Sequence, residues 1–390
     1  AQDVAAALER ERGGEVRTGS VQAMFPSITE MGMPALLPHQ GMTLNMETGA
    51  VLLDGMPTSS TVERQAVLQK AAPTGRALSA AAYLDMSSAD RKELLKSSEI
   101  VYLYHNKIDA TGEKLATESD VFDACAESVD ELVSIAKRVC TDAPGARVTI
   151  TSDHGFLYTA NELPECLFLG KNDLPDDPVL FGKRHAVVVQ GDALADIANG
   201  ADGSPYLAMN MDHVVPGGGY VGLAPRGIVH YRRPGGTKRY VHGGVSLQEL
   251  VVPVIGYRRL SASSKEFVDT QTAQLRVLSE SRRVTNSLFG IKLMQDEAAT
   301  GKVLPCEYEL VFTDETGNEV SDVVRVHADM TSPNPQDRVI EARFTLKTGA
   351  SFGSGSFHLL VCRDAQSGKI VWRETYTIAV SFAPVADFGF

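Results

Sequence analysis

Two spacings of apolar residues alternate along residues 1–256. Strand-like runs such as Ile100–Tyr104 and Arg147–Thr151 are separated by a segment whose apolar residues recur every three or four positions. That spacing predicts an amphipathic helix over residues 118–139. Its expected buried face consists of Phe122, Cys125, Val129, Leu132, Ala136 and Val139. Strands that alternate with helices predict an α/β domain with a mostly parallel sheet flanked by helices.

Two other segments of this region have patterns of their own. Ser60 and Glu63 stand three positions apart, an arrangement typical of a capping box, and they predict the start of a helix. Residues 170–240 are rich in Gly, Pro and Asp. This composition predicts a loop-rich insertion near the functional site.

The pattern changes after residue 256. Residues 257–272 are polar and predict a linker, whereas residues 273–390 contain short alternating runs separated by turn signals. About seven such runs are typical of an immunoglobulin-like β-sandwich. The predicted strands include Leu275–Leu278, Glu307–Phe312, Val323–His327, Arg338–Leu346, Ser356–Cys362 and Ile370–Val380. Trp372 is expected in the core of this sandwich.

The composition is that of a folded protein with an acidic surface. Hydrophobic residues make up 43% and charged residues 22% of the chain, which excludes a disordered protein. The net charge of −12 argues against diffuse binding to nucleic acid or to anionic membranes. One local basic cluster stands out, formed by Arg226, Arg232, Arg233, Lys238 and Arg239. It is either a solvated loop of mixed charge or a surface that contacts phosphate groups.

The cysteines indicate the cellular compartment, and the first residues indicate whether an upstream part is expected. Five cysteines at irregular spacing, with no CxxC pair, argue against a disulfide framework and favour a reducing, cytoplasmic compartment. No apolar run has the length of a membrane span, and no secretory signal opens the chain. The chain begins at Ala1, without Met and inside a helical pattern, so we expect an upstream part that is absent here.

Four short segments place oxygen and nitrogen donors just after strand-like runs. They are Phe25–Thr29, Tyr102–Gly112, Thr149–Gly155 and Tyr240–Gly244. Ligands of open α/β sheets bind outside the carboxyl ends of the strands, so these segments are expected to converge. Carboxylates and imidazoles in one polar crevice suit zinc or manganese. A hydroxyl beside two divalent ions is suited to attack at phosphorus.

Several longer motifs carry a family resemblance. The Ser-Asp-His-Gly that follows a strand, together with a distant His-Gly-Gly-x-Ser-x-x-Glu-Leu-x-x-Pro, resembles the alkaline phosphatase superfamily. Within it, the chain is similar to the type A PglZ family of BREX phage-defence systems. The matching stretches are PSITEMGMPALLP, YLYHNKIDATGE, TSDHGFLYTANELPE, PRGI, RYVHGGVSLQELVVPV and the terminal ADFGF. The resemblance implies an alkaline-phosphatase-like domain over residues 1–256 that lacks the superfamily's first strand.

The resemblance also implies a site with two metal ions, zinc or manganese. Thr29 matches the threonine nucleophile of related phosphodiesterases. With Asp153 and His154 it also matches the ligands of the metal that activates it. Asp109 and His242 match ligands of the other metal. Glu113 stands where relatives often have a histidine, and His105 is the alternative ligand. The superfamily's first metal-binding aspartate has no counterpart in this chain, so we expect the chain by itself to be an impaired phosphoric ester hydrolase.

The implied function is a metal-dependent phosphoesterase or phosphodiesterase, with a nuclease as one form of it. Its expected partners are other BREX components, namely the methyltransferase and a small adaptor, together with DNA. No membrane partner is expected. Two alternatives stay open. One is a non-catalytic scaffold of the BREX complex, because a fold does not guarantee a function. The other is a phosphomutase-like enzyme that acts on small metabolites.

Overall fold

The computed structural model describes residues 1–45, 47–170, 174, 178–189, 205–217, 219–232, 237–348, 352 and 357–380. These residues form two compact units. The first holds Ala1–Leu8 and Gly14–Leu260, and the second holds Glu9–Gly13 and the residues from Ser261 onward.

Eight helices are described in this part of the chain. They are α1 (Gln2–Glu9), α2 (Thr29–Ala35), α3 (Thr61–Ala71), α4 (Ala80–Asp85), α5 (Ser88–Ser97), α6 (Lys107–Gly112), α7 (Val121–Asp142) and α8 (Leu247–Leu250). The predicted capping box is confirmed at α3, where the Ser60 hydroxyl accepts from Glu63 N and the Glu63 carboxylate accepts from Ser60 N. Among the described helices, none has the length and apolar composition that crossing a membrane requires.

The strands of the first unit are mostly short. They are β1 (Gly14–Gln22), β2 (Met42–Leu44), β3 (Val51–Leu53), β4 (Met56–Pro57), β5 (Arg76–Ser79), β6 (Val101–Tyr104), β7 (Arg147–Thr151), β8 (Leu157–Tyr158), β9 (Phe168–Leu169), β10 (Leu180–Phe181), β11 (Ala186–Val189), β12 (Tyr206–Asn210), β13 (Tyr220–Pro225), β14 (His230–Tyr231), β15 (Tyr240–Val241) and β16 (Val251–Arg259).

The sheet that leads to the site has the order β1-β16-β7, and both of its pairings are antiparallel. Thr151 at the end of β7 lies opposite Val254 of β16. The prediction of a mostly parallel sheet is therefore wrong for these strands, although β5 and β6 do pair in parallel. The alternation of helix and strand fixes direction only where a crossover helix links two strands. β16 instead follows α8, which has only four residues.

Helix α7 covers the sheet with a face rotated from the predicted one. Its buried residues are Val121, Ala124, Ser128, Ile135, Ala136, Val139 and Cys140. Phe122, predicted on the buried face, is 58% exposed and packs edge-on against Tyr158 instead. Residues of α7 pack with Leu8 of α1 and with Ile255 and Tyr257 of β16. This core holds β7 and β16 together at the edge where the site forms.

The predicted loop-rich insertion contains regular structure. Within the described parts of residues 170–240, four strands form an antiparallel sheet of order β10-β11-β13-β12. Its buried residues, such as Val188 and Leu223, form an apolar cluster with Tyr231. Short strands between glycine-rich turns have no long apolar run, so their composition resembles that of loops.

The second unit is rich in β-strands. They are β17 (Gln271–Thr272), β18 (Leu275–Val277), β19 (Arg283–Val284), β20 (Leu288–Gln295), β21 (Val303–Leu304), β22 (Cys306–Thr313), β23 (Val324–Ala328), β24 (Val339–Thr345), β25 (Phe357–Asp364) and β26 (Ile370–Ile378). One sheet has the order β18-β20-β24 and another the order β19-β26-β25-β22-β23. Both contribute to one apolar core, against which the half-buried Trp372 packs. The strands β17, β19, β20 and β21 are not among the predicted runs.

Candidate metal centre

The side chains predicted to bind metal lie where strands of the first unit end. Asp153 and His154 follow β7, and His242 follows β15. Asp109 lies on α6, which begins three residues after β6 ends. Thr29 is the first residue of α2. This placement agrees with the rule that ligands bind at the carboxyl ends of strands in α/β proteins.

His154 is oriented by a backbone carbonyl and faces Thr29. Its Nδ1 lies 3.0 Å from the carbonyl oxygen of Gly155. Because a carbonyl only accepts, Nδ1 carries the proton, and in the neutral ring Nε2 then carries a lone pair. The hydroxyl oxygen of Thr29 lies 3.1 Å from that Nε2. The imidazole is 4% exposed, so its lone pair is directed into the site rather than into solvent.

Two carboxylates converge on the same nitrogen. The Oδ2 atoms of Asp153 and Asp109 lie 3.7 Å and 3.9 Å from His154 Nε2. One ligand atom from each of these three residues lies within 4.8 Å of the others. Asp109, expected beside His242, thus also belongs to the group formed by Asp153 and His154. Oxygen and imidazole ligand atoms at such distances suit a divalent cation.

Asp153 provides the observation that fits a cation. Its Oδ2 is buried and has no hydrogen-bond partner among the described residues. Burial, together with the nearby Asp109, raises the pKa of Asp153 despite the opposing effect of His154. Burial of an anionic oxygen that accepts no hydrogen bond costs free energy unless a positive charge compensates it. The donor set therefore fits a divalent cation between Asp109, Asp153 and His154.

Tyr240 fixes the orientation of Asp109. Its hydroxyl donates to Asp109 Oδ1 over 2.5 Å, while Asp109 Oδ2 faces His154. Burial raises the pKa of Tyr240, and the neighbouring Asp109 raises it further, so the phenol remains a donor. Sequence reasoning missed this residue. The available signal was its position two residues before His242, on the strand that leads into the site.

His242 and Glu113 form a second pair of donors. His242 Nδ1 donates to the carbonyl oxygen of Ser27 over 3.1 Å, and Nε2 lies 3.1 Å from Glu113 Oε1. Burial alone would lower the pKa of His242, but the contacts with Glu113 and Asp109 outweigh it and raise that pKa. The hydrogen bond from His242 lowers the pKa of Glu113. The ring of His242 stacks on His154 at a centroid distance of 4.3 Å.

His105, the alternative to Glu113, points elsewhere. Its Nε2 lies 2.8 Å from Glu131 of α7, and Lys107 contacts the same carboxylate. These contacts tie the start of α6 to α7. Glu113, and not His105, is therefore the residue found beside His242.

Two glycines permit the close packing of the site. A Cβ on Gly32 of α2 would lie 2.4 Å from the carbonyl oxygen of Asp153. A Cβ on Gly155 would lie 2.0 Å from the carbonyl oxygen of Gln248. Both distances are shorter than a carbon–oxygen contact allows, so only glycine fits. Gly32 thereby lets the helix of Thr29 approach the loop of Asp153.

The basic cluster lies next to the site in sequence but is partly ion-paired. Arg232 contacts Glu165, and Lys238 Nζ lies 2.8 Å from Glu162 Oε1. The backbone N–H groups of Lys238 and Arg239 donate to the buried carboxylate of Glu118, which holds this segment ahead of Tyr240. Arg226 is exposed. Arg233 lies outside the described residues.

Comparison with known proteins shows which family this chain resembles. The profile of the BREX system PglZ alkaline phosphatase-like domain matches residues 1–257. An alkaline phosphatase-like protein PglZ of Bacillus cereus (strain H3081.97) is 30% identical over 395 residues, which cover all of this chain and 44% of that protein. An alkaline phosphatase-like protein BrxZ of Escherichia coli O9:H4 (strain HS) is 27% identical over 401 residues, again covering all of this chain and 44% of that protein.

The chain thus spans less than half the length of these two curated relatives. A solved glycosyl hydrolase family 2 member from Bacteroides cellulosilyticus DSM 14838 aligns over 59% of this chain and 36% of its own, with 12% identity. Its TM-score of 0.18 is too low to indicate a common fold. The profile match covers about two thirds of the residues and coincides with the unit that carries the donor cluster. The chain therefore belongs to the PglZ family of alkaline phosphatase-like proteins from BREX systems.

Proposed function

We propose that this protein is a metal-dependent phosphoesterase that acts in a BREX defence system and uses Thr29 as its nucleophile. One observation carries the proposal. The Thr29 hydroxyl lies 3.1 Å from His154 Nε2, within a group whose buried Asp153 oxygen has no described hydrogen-bond partner. A hydroxyl beside a cluster of metal donors is the arrangement that phosphoryl transfer to a side chain needs.

The chain's residues divide into two donor groups. Asp109, Asp153 and His154 would hold one cation, and His242 with Glu113 would hold a second, zinc or manganese in each case. When bound, the cations supply positive charge that stabilises the phosphoryl oxygens and favours ionisation of the Thr29 hydroxyl. Asp109 stays in place because Tyr240 holds its second oxygen.

Thr29 Oγ1 would form a bond to phosphorus as the bond between phosphorus and the ester oxygen breaks on the opposite side; Thr29 would lose its proton to water, and the ester oxygen would take up a proton and leave as an alcohol. Water would then cleave the Oγ1–P bond, returning a proton to Thr29 and releasing the phosphate product. Because Thr29 begins α2 and Gly32 packs that helix on Asp153, the hydroxyl approaches the donor group with little freedom to move. Such orientation contributes directly to rate.

The natural substrate in this proposal is a phosphodiester, with DNA as the favoured polymer. The support is the family's BREX context and the position of Lys238 and Arg239, two and one residues ahead of Tyr240. The β-rich second unit, proposed to be an immunoglobulin-like sandwich, would serve to dock other BREX components such as the methyltransferase or a small adaptor.

The test is to measure metal content and turnover together. The purified protein is loaded with Zn²⁺ or Mn²⁺, analysed for bound metal and assayed on a chromogenic phosphodiester. Thr29→Val should retain metal and lose turnover, whereas Asp153→Asn should lose both. Lys92→Ala on the exposed side of α5 is the matched control and should change neither.

Two outcomes would contradict the proposal. Full turnover by Thr29→Val would remove the threonine from the reaction. Absence of bound metal and of turnover in the unaltered full-length protein would instead support a scaffold role in the BREX complex.

A further inference from the structure

A buried ion pair lies behind the candidate metal centre. Arg184 and Glu249 are 1% and 0% exposed, and Arg184 Nη2 lies 3.0 Å from Glu249 Oε2. The Nε of Arg184 lies 3.3 Å from Glu249 Oε1, so both carboxylate oxygens are contacted. Neither residue is a metal donor in the proposed site. A charge pair this deeply buried is seldom the most stable choice, since desolvation offsets its attraction.

Glu249 is bonded to both loops that carry histidine donors. Its side chain accepts from the backbone N–H of Gly244 over 2.8 Å, two residues after His242. Its backbone carbonyl accepts from the N–H of Gly155 over 2.9 Å, one residue after His154. Ser246 adds its N–H and hydroxyl to the same carboxylate. One residue thereby joins the loop of His154 to the loop of His242.

Ser27 ties the segment of Thr29 into the same arrangement. Its hydroxyl donates to the carbonyl oxygen of Gly244 over 2.8 Å and accepts from the N–H of Gly243 over 3.1 Å. Its carbonyl oxygen accepts from His242. The segments of Thr29, His154 and His242 are distant in sequence, yet each is joined to Gly244 or Glu249 by a direct hydrogen bond.

The carboxylate of Glu249 remains charged in this setting. Burial alone would raise its pKa, but the hydrogen bonds from Arg184 and Ser246 outweigh burial and lower that pKa. A charged acceptor holds backbone N–H groups more tightly than a neutral one does. The pair therefore fixes the backbone at Gly244 more rigidly than a neutral side chain of the same shape would.

We infer that Glu249, with Arg184, is a positioning residue that fixes the separation of His154 and His242 and so sets the cation affinity of the site. The expected effect on cation affinity rests on the proposed function. The positioning of the His154 and His242 loops by Glu249 does not. Partners behind metal ligands typically change affinity 10–100-fold when they are removed. Glu249→Gln keeps the shape and loses the charge, so it isolates this effect.

The experiment uses two measurements on the purified protein. Hydrogen–deuterium exchange in the metal-free state reports on the segments 153–156 and 242–246. Titration with Mn²⁺ reports on the affinity of the site. The variants are Glu249→Gln and the milder Arg184→Lys, which keeps the positive charge but loses the two-nitrogen contact. Arg91→Met is the control, because it disrupts another buried pair, Arg91–Asp142, whose side chains are 12% and 5% exposed.

We expect Glu249→Gln to accelerate exchange in both segments at least tenfold and to weaken Mn²⁺ binding at least tenfold. Arg184→Lys should act in the same direction with a smaller effect, and it replaces Glu249→Gln if that variant does not fold. Unchanged exchange and unchanged affinity in both variants would overturn the inference, as would equal effects in Arg91→Met. If the unaltered protein binds no Mn²⁺, the proposed function fails, and the exchange measurement still decides whether Glu249 positions the loops.

Discussion

Asp153 Oδ2, which has no hydrogen-bond partner among the described residues, leads us to a prediction about stability as well as binding. In the metal-free protein, the folded-state pKa of Asp153 is raised by burial, so its charge destabilises the fold above its unfolded pKa. Asp153→Asn removes that charge from beside Asp109. We expect the metal-free variant to gain about 1 kcal/mol in free energy of unfolding at pH 7. Urea denaturation measures this gain.

The same variant should lose its ability to bind Zn²⁺, because a neutral amide is a poor ligand for that ion. Addition of Zn²⁺ should therefore raise the urea midpoint of the unaltered protein and leave that of Asp153→Asn unchanged. A variant that is less stable without metal, or that responds to Zn²⁺ as the unaltered protein does, would contradict the assignment of Asp153 as a ligand.

His230, which lies outside the proposed metal ligands, leads to a prediction about how the free energy of unfolding depends on pH. Burial, with Arg184 and Lys183 nearby, lowers its pKa to about 4, and the residue is 1% exposed. Its folded pKa lies below its unfolded value, so the unfolded chain binds the proton first as pH falls. The free energy of unfolding should therefore decrease as the pH falls from 6.5 to 4, by about 3 kcal/mol over the whole interval.

The comparison of pH 7.5 with pH 5 tests this prediction. His230→Gln should lose less stability over that interval than the unaltered protein does. The exposed His39 provides the control, since His39→Gln should follow the unaltered protein. Identical pH profiles for all three proteins would show that His230 is not the responsible group.

Helix α2 illustrates how packing of one element controls the site. A Cβ at Gly32 would lie 2.4 Å from Asp153 O, so Gly32→Ala must displace either the helix or the Asp153 loop. We expect a loss of about 1–3 kcal/mol in free energy of unfolding, although alanine favours a helix by about 1 kcal/mol. Metal affinity and turnover should fall with it, because Thr29 begins this helix.

Gly19 of β1 offers the matched control, since a Cβ there meets no atom within 4 Å. Gly19→Ala should leave stability, metal content and turnover close to those of the unaltered protein. If Gly32→Ala behaves in the same way, the approach of α2 to the Asp153 loop is not required for the site.

The elements also show how far a sequence can predict this molecule. Local patterns predict the strand before Asp153, the capping box at Ser60 and a helix over residues 118–139, which the structure has at Val121–Asp142, because each depends on residues close in sequence. The antiparallel direction of β16 depends on pairing with β1 and β7, which no local pattern contains. The Tyr240–Asp109 hydrogen bond spans 131 residues. Such contacts follow from the folded arrangement and could not be predicted residue by residue.

At the scale of the whole molecule, the net charge of −12 opposes the approach of a polyanion. Under the proposed function, Lys238 and Arg239, which directly precede Tyr240 in the sequence, would counter this repulsion, although Lys238 is paired with the exposed Glu162. Lys238→Ala with Arg239→Ala should weaken binding to duplex DNA and reduce the slope of log affinity against log salt by about 1–2. Turnover of a small chromogenic phosphodiester should remain.

Lys92→Ala with Lys96→Ala on α5 removes the same charge from an exposed position elsewhere in the first unit. This control variant should bind DNA with nearly unchanged affinity and salt dependence. Equal weakening by the two double variants would mean that net charge, and not the local cluster, governs DNA binding.

The lone pair on His154 Nε2 can serve one partner at a time. In the structure that partner is the Thr29 hydroxyl, at 3.1 Å. Under the proposed function, a cation held by Asp109, Asp153 and His154 would compete with Thr29 for this lone pair. Substitution of His154 would therefore act on the nucleophile and on cation binding together, so no variant of this one residue separates the two roles.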